Sequence, residues 1–159
     1  STLHTNSAPE TITRLLDLGL DPVNFSDALL GVLAQRLMRT LCPKCKAPYK
    51  PPQKELDHLV DAYGEEDFKT LNIDLDTVEL MGPVGCTDCG DTGYKGRTGI
   101  HELLIGTNEL QALIYKKAEL ALIREQALSD GMRTMKQDGI EKIFAGLTDY
   151  IQLLRVVAE

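Results

Sequence analysis

The sequence predicts an α/β chain, mainly helical, built around a four-cysteine metal subdomain and closed by a small helical bundle. Three observations carry this. All four cysteines fall in two Cys-x-x-Cys pairs, Cys42/Cys45 and Cys86/Cys89, and each such turn offers two adjacent corners of a tetrahedron. Residues 99–105, Gly-Ile-His-Glu-Leu-Leu-Ile, are apolar enough for a packed strand. Short helix-length apolar patterns with short connections then fill residues 109–159.

The first segment is residues 1–41. Ser1, Thr2, Leu3 and His4 read as a short strand ending in the polar loop of Thr5, Asn6 and Ser7. Ser7 followed by Glu10 is a capping-box pattern, and Pro9 suits a first helical turn. Ile12, Leu15 and Leu16 then share a helical face, and Gly19 ends that helix. Asp21-Pro22 starts another, with Phe25, Leu29, Leu30, Val32 and Leu33 at helical spacing, and the chain turns towards the thiols around residues 35–37. The second segment, 42–96, is the metal subdomain. Pro43, Pro48, Pro51 and Pro52 keep its start irregular. Residues 55–63 have a weak amphipathic helical pattern, 71–80 contain a short strand, and Gly90, Gly93 and Gly96 follow the second pair, as a tight knuckle requires. Residues 97–108 return as a strand. Asn108 caps a helix over 109–117; helices over 120–128 and 132–144 follow, and Thr148 caps a last one.

The 159 residues suffice for one ordinary domain or two small ones. A hydrophobic share of 43% supports a buried core, and 26% charged residues is globular rather than disordered. No run approaches the roughly 20 apolar residues of a membrane span, and the first ten residues have neither the basic region nor the apolar core of a secretion signal. The opening Ser-Thr-Leu-His-Thr-Asn reads as the middle of a longer chain. A net charge of −7 argues against a general nucleic-acid binder, because phosphate contacts need a basic face. Lys44, Lys46 and Lys50 are a local basic cluster whose ordinary reading is a solvated loop.

Four thiolates close a tetrahedral site, which makes it structural rather than catalytic, and zinc is the ion this donor set suits. A redox dithiol fits less well, since two pairs with glycine-rich flanks and no thioredoxin-like βαβ pattern are present. A rubredoxin-like iron site and unligated thiols are the other readings. The expectation is one zinc per chain, lost in Cys86→Ser. His4, at a strand end beside Thr5 and Asn6, has the residue types that meet a phosphate oxygen; its ordinary reading is an exposed loop histidine. His58 reads as a surface residue of a helix, and His101 as a partly buried, hydrogen-bonded strand residue. The sequence holds no G-x-x-x-x-G-K-[ST], no G-x-S-x-G, no H-E-x-x-H and no dinucleotide fingerprint. Asp74, Asp76, Asp88 and Asp91 do not by themselves make a catalytic site, and no complete active site can be assembled.

The blocks STLHTNSA, ITRLLDLG, LLGVLAQRLMRTLCPKC, CTDCGDTGYKGRTGIHELL and MRTMKQDGIEKIFAGLT, in this order, resemble the C-terminal part of the secretion ATPases of type II secretion and type IV pilus assembly. Residues 46–85 are the least family-like. The resemblance implies that 1–41 and 97–108 are pieces of a RecA-like nucleotide-binding domain. His4 would belong to a histidine box facing the γ-phosphate, with Thr5 and Asn6 beside it. Cys42, Cys45, Cys86 and Cys89 would form a structural zinc site in a subdomain over 42–96, and 109–159 a C-terminal helical subdomain. The parent would be a homo-hexamer on the cytoplasmic face of the bacterial inner membrane. It would use ATP and Mg2+ to drive pilus or pseudopilus assembly through an inner-membrane platform and other cytoplasmic-domain proteins, with no nucleic acid. The family's phosphate loop, acidic box and Walker B segment precede the histidine box and are absent, so this chain is expected not to hydrolyse ATP alone. The alternatives are a free-standing structural zinc interaction module or adaptor, and a zinc-ribbon nucleic-acid binder; −7 net charge and 5% aromatics speak against the latter.

Overall fold

A computed structural model describes residues 2–157. Among the described residues are eight α-helices and two two-stranded sheets, an α/β arrangement weighted towards helix. The chain divides into two compact units. One comprises the chain up to Gln35 together with His101–Thr134; the other comprises Arg36–Ile100 together with the chain from Met135 onward.

In the first unit, residues 2–5 are irregular, so the short strand expected to end at His4 is not formed; Ser1 lies outside the described residues. Helix α1 (Ala8–Asp17) starts where the capping pattern placed it. Ser7 Oγ accepts the Glu10 N–H at 3.4 Å, and Glu10 Oε2 reaches back to the Asn6 N–H at 3.2 Å. Helix α2 (Pro22–Ala28) is capped by Asp21, which accepts the Asn24 N–H at 3.0 Å. It stops at Ala28. From Gly31 the chain is a strand, β1 (Gly31–Leu41), which passes straight through the expected turn at 35–37. The apolar spacing of Leu29, Leu30, Val32 and Leu33 fits a helix or a strand, and a distant partner decides: β4 (Tyr94–Ile105).

In this unit the β1–β4 pairing closes with the Gly106 N–H donating to the Leu30 carbonyl at 2.9 Å. Along β4, Glu102 and Leu104 are buried while His101, Leu103 and Ile105 are exposed, the period of two a strand imposes. Helices α5 (Asn108–Tyr115) and α6 (Leu120–Ser129) complete the unit. Thr107, not Asn108, caps α5: its hydroxyl accepts the Leu110 N–H at 3.2 Å and donates to Asp130 Oδ2 at 2.6 Å. The core gathers Ala8 and Ile12 of α1, Leu104 of β4, Leu110 and Ile114 of α5 and Ile123 of α6.

In the second unit the Cys42 N–H donates to the Gly93 carbonyl at 2.9 Å, which holds the two knuckles at neighbouring strand ends. Residues 46–85 form a folded excursion. A ribbon of β2 (Ala47–Tyr49) and β3 (Leu80–Gly82) pairs antiparallel with Pro48 opposite Met81. Between them lie α3 (Gln53–Tyr63) and the short α4 (Glu65–Lys69). The strand expected within 71–80 shrinks to Leu80–Gly82, because Asp74 turns the chain: its oxygens accept from the Asp76 N–H at 3.0 Å and the Thr77 hydroxyl at 2.8 Å. The excursion docks on α7 (Met135–Phe144) through Gln137 Nε2, which donates to the Tyr63 carbonyl at 2.9 Å, and through edge-on contact of Phe68 with Phe144 at 5.5 Å. Helix α8 (Tyr150–Val157) is capped by Asp149, whose Oδ1 accepts the Gln152 N–H at 2.9 Å. Thr148, the expected cap, is fully buried and its hydroxyl donates instead to the Arg39 carbonyl at 2.8 Å.

Candidate metal centre

The first knuckle forms as β1 ends. Past Cys42 the chain bends so that the N–H groups of Cys45 and Lys46 both donate to the Cys42 carbonyl, at 3.3 and 3.0 Å. The second is a 3-10 turn, Thr87–Cys89, followed by left-handed Gly90 and Asp91; the N–H groups of Cys89 and Asp91 close it on the Cys86 carbonyl at 3.2 and 2.9 Å. Together they bring the Sγ atoms of Cys42, Cys45, Cys86 and Cys89 within 4.8 Å of one another.

The spacing discriminates between chemistries. Cys42–Cys86 and Cys45–Cys89 are 3.9 Å apart and Cys86–Cys89 3.8 Å. A disulfide needs about 2.05 Å. Four sulfurs at about 2.3 Å from a tetrahedral ion stand about 3.8 Å apart along each edge. The donor set therefore fits a metal ion such as zinc.

Backbone amides are aimed at the sulfurs. Cys45 Sγ accepts the Gly85 N–H at 3.3 Å, and Cys89 Sγ accepts from Cys86 at 3.3 Å and Gly93 at 3.2 Å. Such donors stabilise thiolate over thiol. Burial pushes the Cys45 thiol up to about 11, against the Gly85 N–H and helped by the neighbouring thiols. Burial also raises Cys89, but the N–H groups of Cys86 and Gly93, with the thiols of Cys86 and Cys45, outweigh it and hold Cys89 down to about 6.

Charged side chains tie the knuckles to each other. Asp88, in the second, accepts from Lys44 of the first at 2.9 Å and from Lys95 at 2.6 Å. The Lys95 and Lys44 ammoniums hold the Asp88 carboxyl below its usual range. Lys95 is held above its own, first by Asp88 and further by the sulfurs of Cys42 and Cys86. Lys46 reaches the Gly146 carbonyl at 2.7 Å, and Lys50 the Asp76 carbonyl at 3.1 Å. The basic cluster read from Lys44, Lys46 and Lys50 is thus spent on partners within the chain rather than offered as a face for phosphates.

The first unit holds His4, Thr5 and Asn6, just ahead of α1. His4 is exposed; Thr5 Oγ1 lies 2.6 Å from Thr11 Oγ1. Glu102, buried at 5% exposure, accepts the Ala8 N–H at 2.8 Å at the start of the same helix. Sequence reasoning passed over Glu102 as part of an apolar run; a carboxylate in phase with Ile100 and Leu104 was the available signal. His101 corrects an expectation: strand alternation turns it outward, exposed rather than partly buried. His58 is exposed on α3 as expected, its Nδ1 2.7 Å from the Tyr150 hydroxyl. Among the described residues, no helix is long and apolar enough to cross a membrane.

Comparison with known proteins gives a consistent picture. A family model described as type II/IV secretion system protein matches residues 1–155. The type II secretion system ATPase E of Vibrio cholerae is 42% identical over 163 residues, covering 100% of this chain and 29% of the relative. The type II secretion system protein E of Aeromonas hydrophila is 44% identical, covering 100% and 29%. The type IV pilus assembly ATPase TfpB of Acinetobacter baylyi is 41% identical, covering 99% of this chain and 25% of the relative. The chain thus spans between a quarter and a third of the length of these relatives.

Proposed function

The chain belongs to the type II/IV secretion system protein family, and from that premise we propose that it is the C-terminal portion of an ATPase that powers pseudopilus or pilus assembly. In this reading it supplies a zinc-stapled lobe and a histidine-bearing segment, and ATP hydrolysis needs the rest of the protein. The observation that carries it is the tetrad: four sulfurs at tetrahedral spacing in a chain about 40% identical, along its whole length, to secretion and pilus ATPases.

Cys42, Cys45, Cys86 and Cys89 hold one structural Zn2+, and residues 42–96 are the subdomain it organises. Residues 1–41 and 97–108 contribute to a RecA-like nucleotide-binding domain, with His4, Thr5 and Asn6 near the γ-phosphate of ATP·Mg2+. Residues 109–159 form the C-terminal helical subdomain. The partners are neighbouring subunits of a homo-hexamer and the inner-membrane platform and cytoplasmic-domain proteins of the machine, on the cytoplasmic face of that membrane.

A chimera tests this: the Vibrio cholerae ATPase with this chain in place of the segment it matches. We expect one zinc per chain by elemental analysis, ATP hydrolysis, and restored secretion in a strain lacking the native enzyme; Cys86→Ser loses the zinc. A folded chimera with four titratable thiols and no metal rejects the zinc lobe, and a folded, zinc-loaded chimera without ATPase activity rejects the ATPase reading.

A further inference from the structure

The second unit has a cavity of about 390 Å³ away from the sulfurs, between the β2–β3 ribbon, Glu55 of α3 and the first turn of α8. That volume lies in the range of ligand pockets and exceeds what one long side chain needs. Its walls are largely apolar, from Pro48, Tyr49, Pro83 and Tyr150. At its mouth Val84 and Ile151 are 65% and 52% exposed, so aliphatic surface continues outward from the cavity.

The ionisable carboxylates of the lining are Glu55 and Asp149, and no lysine, arginine or histidine lines it. Asp149 is committed: its oxygens accept from the Gln152 N–H and the Tyr94 hydroxyl. Glu55 is not. Its Oε1 accepts from the Tyr49 hydroxyl, and among the described residues Oε2 accepts nothing. A carboxylate has lone pairs for more than one donor, and Glu55, on the side of the recess away from Arg39 and Arg155 that flank Tyr94, can take a cationic one. The Tyr49 hydroxyl reports the nearby carboxylates: it is held above its ordinary range by burial first, then by Glu55 and Asp149.

We infer that this groove docks an extended segment of a partner protein that inserts an arginine, its guanidinium on Glu55 and its aliphatic neighbours on Val84 and Ile151. Arginine is the side chain that combines an apolar stem with a planar fork of donors, and it anchors many protein interfaces. The inference stands on the groove alone and is independent of the nucleotide chemistry proposed above.

The test uses a fluorescein-tagged hexapeptide of alternating arginine and valine, and the same peptide with neutral citrulline for arginine, titrated by anisotropy into zinc-loaded protein. We expect saturable binding of the arginine peptide only. Glu55→Gln, which keeps an acceptor for Tyr49, and Val84→Lys, which places a competing ammonium at the exposed mouth, each weaken it about tenfold or more. Glu66→Gln, on α4 and outside the groove, leaves it unchanged. Thermal melts establish that each variant is folded. Equal binding of the citrulline peptide, an equal loss in Glu66→Gln, an unaffected Glu55→Gln, or no saturation by about 1 mM overturns the inference.

Discussion

At Gly93 a φ of +77° turns the backbone N–H onto Cys89 Sγ, 3.2 Å away, while a Cβ there would stand 2.5 Å from the Pro83 Cβ. Both facts require glycine. Gly90, in the same knuckle at φ +61°, has nothing within 4 Å of the equivalent position. The two residues therefore separate backbone strain from steric collision. Gly90→Ala costs only the left-handed penalty, about 1 kcal/mol. Gly93→Ala adds the collision and disturbs a sulfur hydrogen bond, for about 2–4 kcal/mol in all. Urea unfolding of the zinc-loaded variants measures the difference. Equal midpoints for the two substitutions contradict the steric account.

At the element scale a buried amide joins the Phe68–Phe144 contact in docking the 46–85 excursion. Gln137, 8% exposed on α7, donates to the Tyr63 carbonyl at the end of α3 and to Asp67 of α4 at 3.2 Å. Gln137→Ala removes its buried hydrogen bonds to the Tyr63 carbonyl and Asp67 and costs about 1–3 kcal/mol. Hydrogen exchange is expected to accelerate over α3 and α4 and to stay unchanged in α5 and α6; uniform acceleration, or none, contradicts it. Elements of this kind mark the limit of what the sequence made legible. The capping of α1 by Ser7 and Glu10 was readable because it is complete within the five residues 6–10. The cysteine tetrad was readable because each Cys-x-x-Cys turn fixes its two sulfurs locally. Strand β1 was not, because only pairing with β4, some sixty residues on, decides between two periods that Leu29, Leu30, Val32 and Leu33 both satisfy. The α8 cap failed for the same reason: Thr148 is drawn away to the Arg39 carbonyl, leaving the cap to Asp149.

Across the whole molecule both units bury apolar side chains, those of the second including Met38, Leu59, Leu80, Ile100, Ile140 and Ile143, and the second alone carries the cysteine knuckles as well. The first has a contiguous apolar core, from Ala8 to Met132, and contains none of the cysteines. In the second, the knuckles are surrounded by polar fastenings that start from them. The Leu41 N–H donates to the Leu147 carbonyl at 2.9 Å, Lys46 to Gly146 at 2.7 Å and Thr148 to Arg39 at 2.8 Å. These bonds tie the loop between α7 and α8 to the end of β1 and to the first knuckle. In the proposed zinc-bound state, metal binding would be folding energy for the segments it gathers, since the ligands are not preassembled in the unfolded chain. Removing a bound ion would leave the four sulfurs, all within 4.8 Å of one another, without the cation that holds them together. The expected result of chelation is a graded loss. Hydrogen exchange should rise at residues 42–46 and 85–93, then at 146–149, while α1, α5 and α6 keep their protection. Zinc added back to the chelated protein should restore all three segments together. Simultaneous loss of protection in α1 would mean that the first core does not stand without the metal. Unchanged exchange at 146–149 would mean that the polar fastenings hold the loop by themselves.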